Sequence, residues 1–351
     1  MAEITINGRV IGPGHPVYVI AEMSANHGQD FDQAARIIAA AKEAGADAVK
    51  LQTYTPDTIT IACDREHFRI QGTIWNGRTL HDLYAEAYTP WEWQPRLKKI
   101  ADELGITLFS TPFDVSAVEF LENMDVLAHK VASFELVDTE LLEKIGATGK
   151  PVIMSTGMAS LAEIDEAVAT LRRAGAGGIA LLKCTSAYPA APASMNLRTI
   201  PHLAQGFGVV AGLSDHTTGL AAPVAAVALG ASIIEKHFTL DRSTGGPDSA
   251  FSLEPDEFAA MVNAVREAEQ ALGRVSYDLT EAEQKSRAFR RSLFAVADIR
   301  AGELLTPQNV RSIRPGHGLA PKHLASVLGR RASRDIGRGT PLAWELVGGL
   351  A

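Results

Sequence analysis

Residues 17–52 read VYVIAEMSANHGQDFDQAARIIAAAKEAGADAVKLQ. VYVIAE is a short, nearly continuous apolar run, the pattern of a strand buried on both faces. Residues 31–44, FDQAARIIAAAKEA, follow with apolar positions at helical spacing, and AVKLQ starts a second strand. The segment is therefore one strand–helix–strand unit of a parallel sheet. Its first strand ends in AEMSANHG, which is no Gly-rich phosphate turn and so does not open a dinucleotide-binding, doubly wound sheet.

The same alternation continues along the chain. Strands are predicted at residues 17–22, 48–52, 107–111, 128–133, 152–156, 179–185, 209–214 and 232–237, with helices at 31–44, 91–104, 115–123, 138–145, 161–174, 197–205, 220–229 and 255–272. Eight strand–helix units over roughly 260 residues are the count and length of an α/β protein built as a (β/α)₈ TIM barrel. A doubly wound sheet is the rival architecture, but it usually stops at fewer strands. The pattern supports a barrel domain over residues 1–276, a polar linker at 277–291 (YDLTEAEQKSRAFRR) and a small, β-rich, loop-rich domain at 292–351. A long connection at 53–89 carries Trp75 and other aromatics, and long βα connections of barrels build substrate sites.

Composition narrows the function. With 33 Lys+Arg against 41 Asp+Glu the net charge is −8, which argues against a general nucleic-acid or anionic-membrane partner. Hydrophobic residues at 46% exclude a mainly disordered chain. Cys63 and Cys184 lack disulfide-framework or metal-ligand spacing and read as reduced thiols. The N-terminal residues show no signal-peptide pattern, and apolar runs such as 220–231 are too short and too Ala/Gly-rich to span a bilayer. A cytoplasmic protein is expected.

In a barrel the chemistry lies at the C-terminal ends of the strands. Those ends carry Glu22; Lys50 and Gln52; Ser110 and Thr111; Lys130 and Ser133; Ser155 and Thr156; Lys183, Thr185 and Ser186; Ser214, Asp215 and His216; and Glu235, Lys236 and His237. Lysines interleaved with hydroxyls describe an oxyanion or phosphate cradle, in which Lys supplies point charge and Ser/Thr supply directional donors. Lys183 is open, because strand parity can turn it outward. His216 and His237 end neighbouring strands. They read either as ligands of one divalent cation, with Glu22 or water completing the shell and Asp215 and Glu235 in supporting or acid–base roles, or as a cap and a core histidine. Asp248, in TGGPDS, is either a turn former or a sugar-binding or acidic group.

The motifs AEMSANHG, DAVKLQT, FSTPF, HKVAS, IMSTGM, KCTSAYP, GLSDHT, EKHFTLD, GPD with SLEP, and FRRSL with RPG occur in order over essentially the whole chain. Together they resemble the sialic acid synthase family. That resemblance implies a barrel joined to a C-terminal antifreeze-like (SAF) domain, a domain-swapped homodimer, and condensation of phosphoenolpyruvate with an open-chain amino sugar to a nine-carbon 2-keto acid and phosphate. The stretches GTIWNGRTLHDLYAEAYTPWEW and GGPDSAFSLEP look most like the pseudaminic acid synthase branch, whose sugar is 2,4-diacetamido-2,4,6-trideoxy-L-altrose. The alternatives are an N-acetylneuraminate or legionaminate synthase or, from another class, a non-catalytic sugar-binding protein working through the antifreeze-like domain.

Carried over by position, the resemblance puts the phosphoenolpyruvate site on Lys50, Thr111, Lys130, Ser133, Ser155 and Ser214. It puts the ligands of a divalent metal (Mn²⁺ or Mg²⁺) on His216 and His237. Glu22, Gln52, Tyr188, Glu235 and Asp248 fall around the reacting carbons and the sugar, and Arg314 matches an arginine offered to the partner subunit's sugar. Glu22 is the first candidate for the base that activates water. Ser186 stands where the neuraminate branch usually has Asn, which leaves its reach to phosphate open.

Overall fold

The computed structural model describes residues 2–350. The chain divides into two compact units at Gly273/Arg274, so the residues predicted as a linker group with the second unit.

The first unit begins with an antiparallel hairpin, β1 (Ile4–Ile6) and β2 (Arg9–Ile11). Eight parallel strands follow: β3 (Tyr18–Glu22), β4 (Ala48–Thr53), β5 (Thr107–Pro112), β6 (His129–Val131), β7 (Pro151–Ser155), β8 (Gly178–Cys184), β9 (Val210–Asp215) and β10 (Ile233–His237). They close in sequence order, with β10 pairing both β9 and β3. Every residue of β3, β5 and β9 is buried, because one face of each strand points into the barrel and the other meets the helices. The predicted helices at 115–123, 161–174 and 255–272 form over those residues. Residues 91–93 instead make a separate 3₁₀ turn, and the α-helix there is Gln94–Leu104, with Pro95 in its first turn.

Two apolar layers follow from strand parity. Val19, Val49, Leu51, Leu108, Val152, Leu181, Leu213 and Ile234 pack outward against helix residues such as Ile37, Leu97, Val118, Leu142, Val168 and Leu203. Tyr18, Ile20, Ala48, Phe109, Ile153, Ala180, Leu182, Val210 and Ile233 fill the interior. Ile4, Ile6 and Ile11 of the hairpin belong to this inner cluster, which seats β1–β2 across the N-terminal end of the barrel. A Cβ on Gly178, the first residue of β8, would lie 2.8 Å from Ile4 Cγ2. The hairpin was not predicted. Its signal is Asn7-Gly8, both at positive φ (50° and 73°), the preferred two-residue turn between strands.

In the 53–89 connection, helices Pro56–Ile59 and Leu80–Ala87 flank a loop pinned by an Arg69–Thr79 bridge. The second unit holds helix Glu281–Ser286 and two antiparallel pairs. These are β11 (Ser292–Ala295) with β12 (Val310–Ile313) and β13 (Arg330–Ala332) with β14 (Val347–Leu350). They close on Leu293, Ile299, Leu305, Val310, Val327, Ile336 and Leu342. Among the described residues no helix is long and apolar enough to cross a membrane.

If the hairpin is a structural plug, Ile11→Ala should destabilise the barrel by about 2–5 kcal/mol, the range for truncating a fully buried Ile. A lowered urea midpoint with an unchanged slope checks this.

Candidate active site

The interior changes character at one level. Ile20, Ala48, Phe109, Ala128, Ile153, Leu182 and Ile233 belong to the apolar inner cluster. Two residues further along the chain from each stand Glu22, Lys50, Thr111, Lys130, Ser155, Cys184 and Glu235, and β9 contributes Ser214. All eight are buried. A polar layer thus lies on the apolar plug, one group per strand.

Its members are mutually bonded. Lys50 Nζ pairs with Glu22 Oε2, reaches Thr111 Oγ1 at 3.2 Å and lies 3.8 Å from Glu235 Oε1. Lys130 Nζ donates to Ser155 Oγ at 2.7 Å and lies 3.7 Å from the same Glu235 oxygen, which also accepts from Ser214 Oγ at 3.2 Å. The two carboxylates are driven apart. Burial pushes Glu22 up to about 7 despite Lys50. Burial also acts on Glu235, but Lys130 and Lys50 outweigh it and hold it below its ordinary value. One carboxyl can exchange a proton near neutrality and the other stays ionised.

A second ring sits above. Gln52 Nε2 donates to Glu22 Oε1 at 3.3 Å and to Ser24 Oγ at 3.0 Å, and Ser24 Oγ donates to Asp248 Oδ2. Burial raises Asp248, so its environment favours the protonated acid more than water does. Ser133 Oγ accepts the Gly157 N–H at 3.0 Å. A Cβ on Gly157 would lie 2.2 Å from Ser186 Oγ and 2.7 Å from Ser133 Oγ. The Ser186 hydroxyl therefore converges with that of Ser133, short side chain notwithstanding, and Gly157 keeps their approach open.

The His216 and His237 rings are 5.3 Å apart. His216 Nδ1 lies 2.9 Å from the Thr185 carbonyl, which places a proton on Nδ1 and makes Nε2 the ring nitrogen that a ligand would use. Burial, reinforced by His216, pushes His237 well down, so it is a neutral imidazole, and its buried Nδ1 has no hydrogen-bond partner. Burial works to lower His216, but Cys184 and the Thr185 carbonyl outweigh it and hold the ring above its ordinary value, so a divalent cation bound by the two rings would take the place of a proton on His216. Among the described residues no third His, Cys, Asp or Glu completes a protein-only cage, so the remaining positions are left to water or substrate oxygens. Tyr188 packs against His216 at 4.4 Å, and Phe251 lies 5.1 Å from Tyr188 and 4.9 Å from His237.

Parity corrects part of the expected list. Asp215 and Lys236 do not face the pocket. They are fully buried on the helix side, where Lys236 Nζ meets Asp215 Oδ2 at 2.5 Å and also donates to the Thr217 carbonyl. Asp215 Oδ1 accepts the Thr217 N–H at 2.9 Å. Asp215 is thus no acid–base candidate; the pair ties the ends of β9 and β10 together between the two histidines. Ser110 likewise turns outward, to Thr53 Oγ1 at 2.6 Å, and Thr156 donates to the Leu182 carbonyl. Lys183 turns outward to the Cys184 carbonyl at 2.6 Å. Arg314 is exposed in the second unit, directly after β12.

Three pocket residues were not predicted as such: Cys184, Ser24 and Gly157. Cys184 was legible by parity, since it follows Ala180 and Leu182. Burial pushes its thiol up, but His216, 3.9 Å away, more than offsets this and brings it down to about 7. Ser24 adopts φ +47°, an uncommon conformation for a side-chain-bearing residue, and joins Gln52 to Asp248.

The NeuB family profile matches residues 37–277, and a SAF domain profile matches residues 290–347. The chain belongs to the NeuB family. Within it, the chain is 48% identical over 326 residues to a pseudaminic acid synthase of Campylobacter jejuni subsp. jejuni, covering 93% of this chain and 95% of that one. Against a pseudaminic acid synthase of Helicobacter pylori the identity is 44% over 329 residues, covering 93% and 97%. Among solved structures, N-acetylneuraminic acid (sialic acid) synthetase from Leptospira borgpetersenii superposes with a TM-score of 0.72 at 34% identity, covering 81% of this chain and 94% of that one. This NeuB-family chain therefore has the barrel and SAF domain expected from its motifs.

The Lys236–Asp215 pair yields a stability test. Lys236→Met strands a buried carboxylate and should destabilise the barrel by about 3–5 kcal/mol, whereas adding Asp215→Leu should recover much of the loss. Denaturation midpoints of the single and double variants check both directions.

Proposed function

We propose that this chain is a pseudaminic acid synthase, which condenses phosphoenolpyruvate, 2,4-diacetamido-2,4,6-trideoxy-L-altrose and water to a nine-carbon 2-keto sugar acid and phosphate. The observation that carries the reading is 44–48% identity to two pseudaminic acid synthases over 93% of the chain, against 34% to the sialic acid synthetase. The unbroken polar layer at the barrel mouth supports a catalytic role over a binding one, because a binding relic needs no paired carboxyls of divergent acidity.

In this reading Lys50 and Lys130 hold the charge of phosphoenolpyruvate, and the hydroxyls of Thr111, Ser133, Ser155, Ser186 and Ser214 supply directional donors. C3 of phosphoenolpyruvate attacks the sugar aldehyde carbon, forming the C–C bond while the aldehyde oxygen takes up a proton. Water adds to C2 as Glu22 removes its proton, and the resulting tetrahedral carbon collapses with C2–O cleavage to the keto acid and phosphate. The lysines stabilise phosphate charge throughout. Gln52, Tyr188 and Asp248 orient the sugar, and Glu235 holds both lysines in place. His216 and His237 would carry Mn²⁺ or Mg²⁺, which when bound supplies Lewis-acid polarisation of the aldehyde.

Phosphate release measured with the trideoxy sugar, N-acetylmannosamine and the legionaminate precursor tests the reading. Turnover greatest with the trideoxy sugar supports it; preference for another member of the panel overturns the branch assignment. A carboxyl pushed up to about 7 works as a base only once deprotonated. The log of kcat/KM should therefore rise with pH to a plateau above about 7, and Glu22→Gln should abolish the rising limb along with most activity.

His237→Ala should lose Mn²⁺ binding by calorimetry while the unfolding midpoint stays near that of the parent. We also propose a domain-swapped homodimer in which Arg314 serves the partner subunit's sugar. Mixed dimers of an Arg314→Ala chain with a Lys50→Ala chain should then regain activity that neither chain has alone.

A further inference from the structure

The 53–89 connection contains one feature that the reaction does not account for. Residues 71–77, QGTIWNG, form the tip of the pinned loop, and every one of them is exposed except Trp75. The tip is internally braced. Gly77 N donates to the Ile70 carbonyl at 2.9 Å, Asn76 Oδ1 accepts from Gly72 N at 3.1 Å, and Thr73 Oγ1 accepts from Trp75 N at 3.2 Å. A braced loop of exposed residues thus presents a single large aromatic side chain inward.

The destination of that side chain is the site. The indole N–H donates to the Pro247 carbonyl at 2.9 Å, immediately before Asp248, and the indole ring lies 5.8 Å from that of Tyr188. Tyr188 in turn is 4.4 Å from His216. The rings form a continuous wall with the histidines at one end and Trp75 at the other. One side chain thereby links three segments: the β4–β5 connection, the stretch after β8 and the loop after β10.

This geometry dictates what the outer end of the wall can accept. The only polar atom of the indole is already committed to Pro247, so the remaining face offers neither donor nor acceptor. If the aldehyde carbon reacts beside His216 and His237, an open-chain sugar runs away from them and its last carbon ends farthest out. A methyl group there meets an apolar face at no hydrogen-bonding loss, whereas a hydroxymethyl group leaves water for a surface that cannot replace its hydrogen bonds.

We infer that Trp75 is a specificity-determining residue that selects sugars with a 6-deoxy terminus over those with a 6-hydroxyl. The inference rests on the synthase reading above and deepens it. Apolar walls discriminate against an added hydroxyl by roughly tenfold to a hundredfold, which sets the scale of the effect.

The test uses the full chain with Mn²⁺ and two sugars that differ only at C6: the trideoxy diacetamido sugar and its 6-hydroxy counterpart. The expected kcat/KM ratio for the parent is roughly ten to a hundred in favour of the deoxy sugar. Trp75→Ala should bring that ratio to within about threefold of unity, chiefly by weakening the deoxy sugar, while KM for phosphoenolpyruvate stays within about twofold. Trp75→Phe keeps an apolar face without the indole N–H and should retain most of the preference. An unchanged ratio in Trp75→Ala, or equal losses for both sugars and for phosphoenolpyruvate, overturns the inference and leaves the synthase reading standing. A parent enzyme inactive on the trideoxy sugar but active on N-acetylmannosamine overturns the pseudaminic acid branch assignment on which the inference rests.

Discussion

Four ionisable groups, Glu22, Lys50, Lys130 and Glu235, meet inside the barrel on a floor of apolar side chains. Removing four charges from water is expensive, and it is tolerated here because each has an opposite partner within 4 Å, while the Thr111 and Ser155 hydroxyls accept from the lysines and Ser214 donates to Glu235. The same burial that makes the layer expensive gives the two carboxyls different acidities. Glu235 lies near both lysines; Glu22 pairs with Lys50 alone and is further raised by Glu235. Because the ends of the strands are fixed by the closed barrel, the layer does not have to be organised when substrate arrives.

Structures behind the site hold it in register. The hairpin β1–β2 closes the N-terminal end of the barrel and keeps the floor apolar. On the helix side, Lys236 and Asp215 join β10 to β9 through a buried ion pair flanked in sequence by Glu235, His237, Ser214 and His216. The Thr185 carbonyl selects which nitrogen of His216 carries the proton. None of these groups faces the pocket, yet each determines the direction or protonation of one that does.

Much of this was legible in the residues. A barrel strand is buried on both faces, so it appears as an uninterrupted apolar run, and the intervening helices reveal themselves by their 3.6-residue spacing. Polar residues ending nearly every such run mark the mouth. Which of them enter the pocket follows from a period of two, but only once the inward face of each strand is known. Applied from Leu182, that period places Cys184 inside; applied from Ile233, it places Glu235 and His237 inside and Lys236 outside. A strand-end list without parity merges the two sets, and for that reason Asp215, Lys236 and Ser110 were expected in the pocket.

The sequence by itself determined the eight-unit barrel, the small second unit, the family and the residues that supply charge, because these depend on local periodicity and on motifs that are contiguous in the chain. Only the tertiary structure decided the acidities of Glu22 and Glu235, the meeting of Ser133 with Ser186 above Gly157, and the seating of Trp75 against Tyr188 and Pro247. Those are distances between groups 20 or more residues apart in sequence. A pKa or a hydrogen bond depends on that separation in space and on the water excluded around it, neither of which any local pattern encodes.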